Sequence, residues 1–147
     1  MNQAADTYWK HFWQQRNEPP PEQVTAWSFG VDPDELAELV VSGVKTATCS
    51  AYMFYEIENE PLPSIGDYSI ILNKAGDPVC IIQIISVKIM PMNEVPEEFA
   101  EAEGEGDRSY EYWWNAHEQF FTEALEEVGE IFREDMTVVC ERFEVVK

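Results

Sequence analysis

The residues that could do chemistry fall into two short stretches and one helix. The first stretch is Ser42-Gly43-Val44-Lys45-Thr46-Ala47-Thr48-Cys49-Ser50. Gly43 follows an apolar helical pattern and fits the left-handed position that closes a helix. Lys45 then stands in a turn, and Thr46 to Ser50 are small enough for a strand. A cation held in a turn beside hydroxyls suits polarising a carbonyl or taking a proton. To act as a base, Lys45 needs a pKa lowered by burial or by a neighbouring cation; left charged, it stabilises an oxyanion. Thr48 reads as a substrate hydrogen-bonder or as a nucleophile, which would need Lys45 as its base. The plain alternative is a helix-to-strand turn with a solvated lysine and an ordinary strand threonine.

The second stretch is Phe99-Ala100-Glu101-Ala102-Glu103-Gly104-Glu105-Gly106-Asp107. One of its acids could be a general acid or pair with Lys45, and the glycines allow close backbone approach to a ligand. It is not a phosphate loop, because it lacks the Lys-Ser/Thr ending and its acids repel phosphate. The helix that follows carries Trp113 and, one turn later, His117, which reads as a packed core histidine or as a site residue. The catalytic candidates are therefore Lys45, Thr48 and one acid among Glu103, Glu105 and Asp107. The substrate-contact set is Thr46, Gly104, Glu105, Asp107, Trp113 and His117.

These residues need elements to position them. Tyr8, Trp9, Phe12 and Trp13 give residues 4–17 a helical apolar face that packs on its own domain, and Pro19-Pro20-Pro21 ends it. Residues 24–30 are extended. Asp32, Pro33 and Glu35 start a helix that runs to Ser42. A strand over 46–51 and a short helix over 52–58 follow. Lys45 and Thr48 would face opposite ways on a regular strand, so they converge only if Lys45 stays in the turn and curls back. Residues 68–73 and 79–92 are strands joined by a hairpin. The second is too long to stay flat and should bulge near Ser86-Val87-Lys88. A short helix spans 95–102, and Ser109 caps a long helix to Val128. Residues 137–146 form a closing strand. Trp113, Phe120 and Phe121 are expected in the core, so Phe120→Ala should cost roughly 3–5 kcal/mol, while Lys45→Ala should cost little. Strands with interspersed helices and no βαβ alternation indicate an α+β protein around a small barrel.

Bulk properties narrow the function. The chain has 147 residues, the length of one domain with a real core. No apolar run would span a bilayer and no secretory signal opens the chain, so a cytoplasmic protein is expected. Cys49, Cys80 and Cys140 lie far apart with no zinc-ligand spacing, so no metal is expected and each reads as a buried free thiol. The formal net charge is −20, from 29 acids against nine bases. Without a basic run, that charge repels long nucleic acids and disfavours a broad nucleic-acid surface. A small neutral ligand is affected far less.

The Gly-x-Lys-x-x-Thr stretch, the Glu-Gly-Glu-Gly-Asp loop and the Trp-x-x-x-His helix, in this order, resemble the ASCH domain family. Trp27-Ser28-Phe29-Gly30 and the turn from Pro63 to Asp67 add to the likeness, which is strongest to the longer bacterial members. The resemblance implies a PUA-like β-barrel, or pseudobarrel, with flanking helices. It implies a single domain over 1–147, with residues 1–26 an N-terminal helical extension. A small bacterial member is an amidohydrolase that removes the acetyl group of N(4)-acetylcytidine with a lysine, a threonine and a glutamate. Lys45 and Thr48 match the first two, and Glu103 matches the third through Ala100-Glu101-Ala102-Glu103. Another member is similar to a metal-dependent ribonuclease. The expectation is thus a small amidohydrolase acting on an acylated nucleoside, with no cofactor. The alternatives are a module that binds RNA or a nucleotide without catalysis, or a ribonuclease. This chain departs from the small amidohydrolases at Cys49-Ser50, where they carry a hydrophobe and an arginine, and this bears on substrate identity.

Overall fold

The computed structural model describes residues 1–147. The elements run α1 (Gln3–Gln15), β1 (Val24–Trp27), α2 (Pro33–Val41), β2 (Ala47–Ala51), α3 (Tyr52–Ile57), β3 (Tyr68–Leu72), β4 (Pro78–Pro91), a 3₁₀ turn (Met92–Glu94), α4 (Glu97–Glu103), α5 (Tyr110–Glu127) and β5 (Thr137–Val145). The strands form one mixed sheet in the order β1-β3-β4-β5-β2. Only β1 and β3 pair in parallel; the other neighbours are antiparallel. The two edges, β1 and β2, do not pair with each other, so the sheet is an open pseudobarrel with flanking helices rather than a closed barrel.

Local sequence explains the joints. Asp32 accepts from the Glu35 N–H at the start of α2, and Ser109 accepts from the Tyr112 N–H at the start of α5. The expected bulge in β4 falls between Ile84 and Ser86, which pair with Phe143 and Arg142 respectively. Ile85 is the extra residue and faces outward, which lets the long strand bend.

Alternation along the strands separates two faces. Ile71, Cys80, Ile82 and Phe143 pack with Phe29 and with Ala37 and Val40 of α2. Ile70 and Ile81, the alternate neighbours, pack against Ala5, Trp9 and Trp13 of α1, so the N-terminal aromatic helix is spent on its own sheet. Val138, Cys140, Ala47 and Ala51 meet Phe99 of α4 and Trp113, Phe121 and Leu125 of α5. No helix is long and apolar enough to cross a membrane.

The α5 stripe is narrower than its sequence suggests. Trp113 and Phe121 are core, but Phe120 is 42% exposed. Adjacent residues on a helix point about 100° apart, so one member of a Phe-Phe pair must leave the buried face. The core role expected for Phe120 therefore belongs to Phe121. Phe121→Ala should cost about 3–5 kcal/mol and Phe120→Ala under about 1 kcal/mol, as read by urea denaturation.

Candidate functional site

Lys45 reaches the site because of how α2 stops. Gly43 takes a φ of +82°, and the N–H groups of Val44 and Lys45 both donate to the Leu39 carbonyl at 3.0 Å. The chain is still turning at Lys45, two residues before β2 begins. Its side chain folds back, and Nζ donates to the Ala47 carbonyl at 2.9 Å. That curl removes the conflict with strand alternation, and Lys45 and Thr48 line one cavity.

Glu103 arrives from the last residue of α4. Gly104 ends that helix with a φ of +70°, and a Cβ there would collide with the Val44 carbonyl oxygen. Only glycine lets the end of α4 lie against the turn after α2. Thr46 clamps the junction: its N–H and Oγ1 both donate to the Ala102 carbonyl, at 2.7 and 3.2 Å. Lys45 Nζ then meets Glu103 Oε1 at 3.1 Å, across 58 residues of sequence, and Glu105 Oε2 at 2.8 Å. Lys45 is 1% exposed and Glu103 2%.

The second oxygen of Glu103 accepts from Trp113 Nε1 and lies 3.1 Å from His117 Nε2. His117 Nδ1 lies 2.8 Å from the Trp113 carbonyl. A carbonyl only accepts, so Nδ1 carries a proton, and Nε2, facing a carboxylate, carries the other. The ring is an imidazolium. Burial alone would lower its pKa, but Glu103 outweighs burial and raises it. Lys45 behaves alike: burial lowers its pKa, the carboxylates of Glu103 and Glu105 more than reverse this, and the net direction is up. Burial would raise Glu103, yet His117, Lys45 and the hydrogen bonds from His117 and Trp113 bring it down to about 2. The result is a neutral knot of two cations and two carboxylates. At neutral pH Lys45 is a fixed cation and not a base. Glu103 is a fixed anion and not a proton donor.

The cavity has a volume of about 380 Å³ and occupies the gap between the sheet edges, with Trp27 and Phe29 on one side and Thr48 to Ala51 on the other. Phe54, Tyr55 and Phe120 add aromatic walls. The Phe29 ring centroid lies 5.3 Å from Lys45 Nζ. Exposed Glu58 and Glu60 give the lining further negative charge. Ser50 Oγ shares a 2.9 Å hydrogen bond with the Tyr55 hydroxyl.

Of the residues read as site residues in the sequence, Lys45, Thr48, Glu103, Glu105 and His117 line this cavity. Trp113 lies behind it, holding Glu103. Three others serve elsewhere. Thr46 clamps α4, Gly104 permits the close approach to Val44, and Asp107 is exposed and accepts from the Ser109 N–H at 2.9 Å. The aromatic walls and Cys49 had no site role in the sequence reading, although Trp27-Ser28-Phe29-Gly30 was part of the resemblance. Cys49, Glu103 and His117 place one ligand atom each within 4.8 Å of one another. They come from β2, α4 and α5, so no sequence spacing announces them. A cation bound there would have to replace the protons of His117 and Cys49 while tolerating the Lys45 ammonium.

Glu141 is a further titratable group near the site. It pairs directly with Thr48 across β2 and β5, so both side chains share a face. Burial, helped by the charge of Asp67, pushes its carboxyl from 4.5 up to about 7. A carboxyl raised on folding stabilises fully below its unfolded value and loses that contribution as pH climbs through the folded value. Glu141→Gln should therefore gain on the order of 1–3 kcal/mol at pH 8 and nothing at pH 4, in paired urea titrations.

An open mixed pseudobarrel with a lysine–carboxylate knot in the gap between its edges is a domain of the PUA-like class. The chain belongs to the ASCH domain family, whose model matches residues 25–147. It is similar to an ASCH domain from Lactobacillus crispatus JV V101, with 34% identity, 99% of this chain and 95% of that chain covered, and a TM-score of 0.90. It is also similar to a protein from Enterococcus faecalis V583, with 40% identity, 99% and 90% covered, and a TM-score of 0.89. A hypothetical protein at 20% identity and a TM-score of 0.57, with 84% of this chain and all of that chain covered, shares the fold alone. No curated protein matches the chain.

Proposed function

We propose that the protein is a small amidohydrolase that deacylates an N-acylated nucleoside, with N(4)-acetylcytidine the model substrate. The observation that carries this reading is the buried Lys45–Glu103 pair, at 3.1 Å, on an aromatic-walled cavity. An amide needs a polarised carbonyl, an attacking oxygen and a proton for the departing nitrogen. Lys45 supplies the fixed cation, and Glu103 holds it in place. The Nζ donors are all engaged, and Glu105 is the partner with the most exposed side chain, at 26%. A substrate carbonyl displaces Glu105 from Lys45, and the freed carboxylate takes a proton from the attacking water. The Thr48 hydroxyl hydrogen-bonds the substrate; with Lys45 charged, it has no base to make it a nucleophile. His117, held as an imidazolium against Glu103, adds positive charge behind that carboxylate, and Glu105 passes the proton it took from water to the leaving nitrogen. The aromatic walls suit a planar base. The surrounding acids disfavour phosphate, which supports a nucleoside over a nucleotide or RNA.

The test is turnover of N(4)-acetylcytidine by purified protein, followed as release of cytidine and acetate. No turnover of any acylated nucleoside, together with salt-dependent micromolar binding of RNA oligomers, would move the protein to the binding-module class. Strand cleavage that requires added metal would make it a ribonuclease.

A further inference from the structure

Cys49 and Cys140 are direct register partners across β2 and β5. The ladder fixes their geometry further. Phe143 N donates to Thr46 O at 3.1 Å, and the same register runs on through Thr48 with Glu141 and Ser50 with Val139. Those are the hydrogen-bonded pairs of an antiparallel ladder. The alternate pairs, Cys49 with Cys140 among them, are the close non-hydrogen-bonded kind. In pairs of this kind the Cα atoms stand about 4.5 Å apart, with Cβ atoms about 4.5–5.5 Å apart and nearer the short end. A disulfide needs Cα atoms about 4.4–6.8 Å apart and Cβ atoms about 3.5–4.5 Å apart. The strands therefore hold the two cysteines ready to bridge. Cys49 also lines the cavity, so a small solute reaches one sulfur without opening the fold, while Cys140 is buried behind it. Cys80 packs in a separate cluster against α2.

We propose that Cys49 and Cys140 form a reversible dithiol–disulfide site in the cavity wall, closed by a peroxide small enough to enter. The Cys49 thiol gives up its proton to water, and the Cys49 thiolate attacks one peroxide oxygen. The oxygen–oxygen bond breaks, the departing hydroxide takes a proton to become water, and Cys49 becomes a sulfenic acid. The Cys140 sulfur, giving up its proton, attacks the Cys49 sulfur and displaces the hydroxyl group as a second water. Two thiols lose two electrons, and hydrogen peroxide is reduced to two waters. The bridge forms beside Glu103, whose carboxylate lies within 4.8 Å of the Cys49 sulfur. It ties the strand that carries Thr48 to its neighbour. The inference does not rest on the catalytic reading.

The test uses the full chain, reduced and folded, with EDTA present to keep metal off Cys49. After exposure to hydrogen peroxide, free thiols are blocked under native and then denaturing conditions, and peptides are mapped by mass spectrometry. The expected product is a Cys49–Cys140 crosslinked peptide, lighter by two hydrogens and reopened by dithiothreitol, with Cys80 still alkylated. Cys140→Ala should instead accumulate sulfenic or sulfinic acid at Cys49. The proposal is overturned if all three thiols of the wild type remain alkylatable, if Cys49 proceeds to sulfinic acid with Cys140 still free, or if the bridge forms only after denaturation.

Discussion

Lys45→Ala is expected to lower deacylation of N(4)-acetylcytidine roughly a hundredfold or more, as loss of the charge that receives the oxyanion requires. The same substitution should destabilise the fold by about 3–5 kcal/mol, because it strands the Glu103 carboxylate in a buried position with one cation partner fewer. This departs from the sequence-based expectation of a small cost, because Lys45 is buried and paired with Glu103. Lys45 is 1% exposed. Lys45→Met separates the effects, since it restores much of the lost volume but not the charge. Both variants should be inactive, and Lys45→Met should recover part of the stability in urea titrations. Activity within about tenfold of wild type in a folded Lys45→Met protein would remove the oxyanion role.

Glu103→Gln carries the second large effect. It keeps the shape of the side chain but removes the anion that both Lys45 and His117 face. Turnover should again fall about a hundredfold, with the fold intact by circular dichroism. The pH profile is the more specific readout. Glu103 is lowered from 4.5 to about 2 on folding. Its contribution is therefore complete above pH 4.5 and is lost as pH falls toward 2. Wild type and variant should differ most at neutral pH and converge in acid. His117 moves the opposite way. Its pKa is raised above 6.5, so the stability from its charged form is present below pH 6.5 and lost as pH rises through the folded value. In Glu103→Gln burial then dominates, and the His117 ring should titrate lower, as NMR of the ring protons would record.

Local signals gave the elements, because each joint carries its own chemistry. Gly43, Asp32 with Pro33, Ser109, and the overlong run of β4 mark their breaks within a few residues. The convergence of Lys45 and Glu103 was legible only through resemblance, since no local rule joins residues 58 apart. Thr46 and Asp107 lay beside the right residues but were taken up by hydrogen bonds that hold neighbouring elements. Phe120 reads as core in the sequence because residues Tyr110 to Val128 are apolar around a wide arc, and nothing local says which edge of the arc meets solvent. The protonation roles of Lys45 and Glu103 depend on what surrounds each group. That became readable only when Trp113 and His117 were seen on the far side of the carboxylate.

The open edge of the sheet has a consequence for what a ligand meets. Alternate peptide groups of a strand point to opposite sides, and in β2 those of Thr46, Thr48 and Ser50 are turned toward β5. The peptide groups of Ala47, Cys49 and Ala51 therefore point into the gap that no strand fills. The Ala47 carbonyl already accepts from Lys45. The Cys49 N–H and C=O remain as an adjacent donor and acceptor facing that gap. Recognition through the main chain carries no side-chain signature. A contact made there would survive replacement of Cys49 by serine.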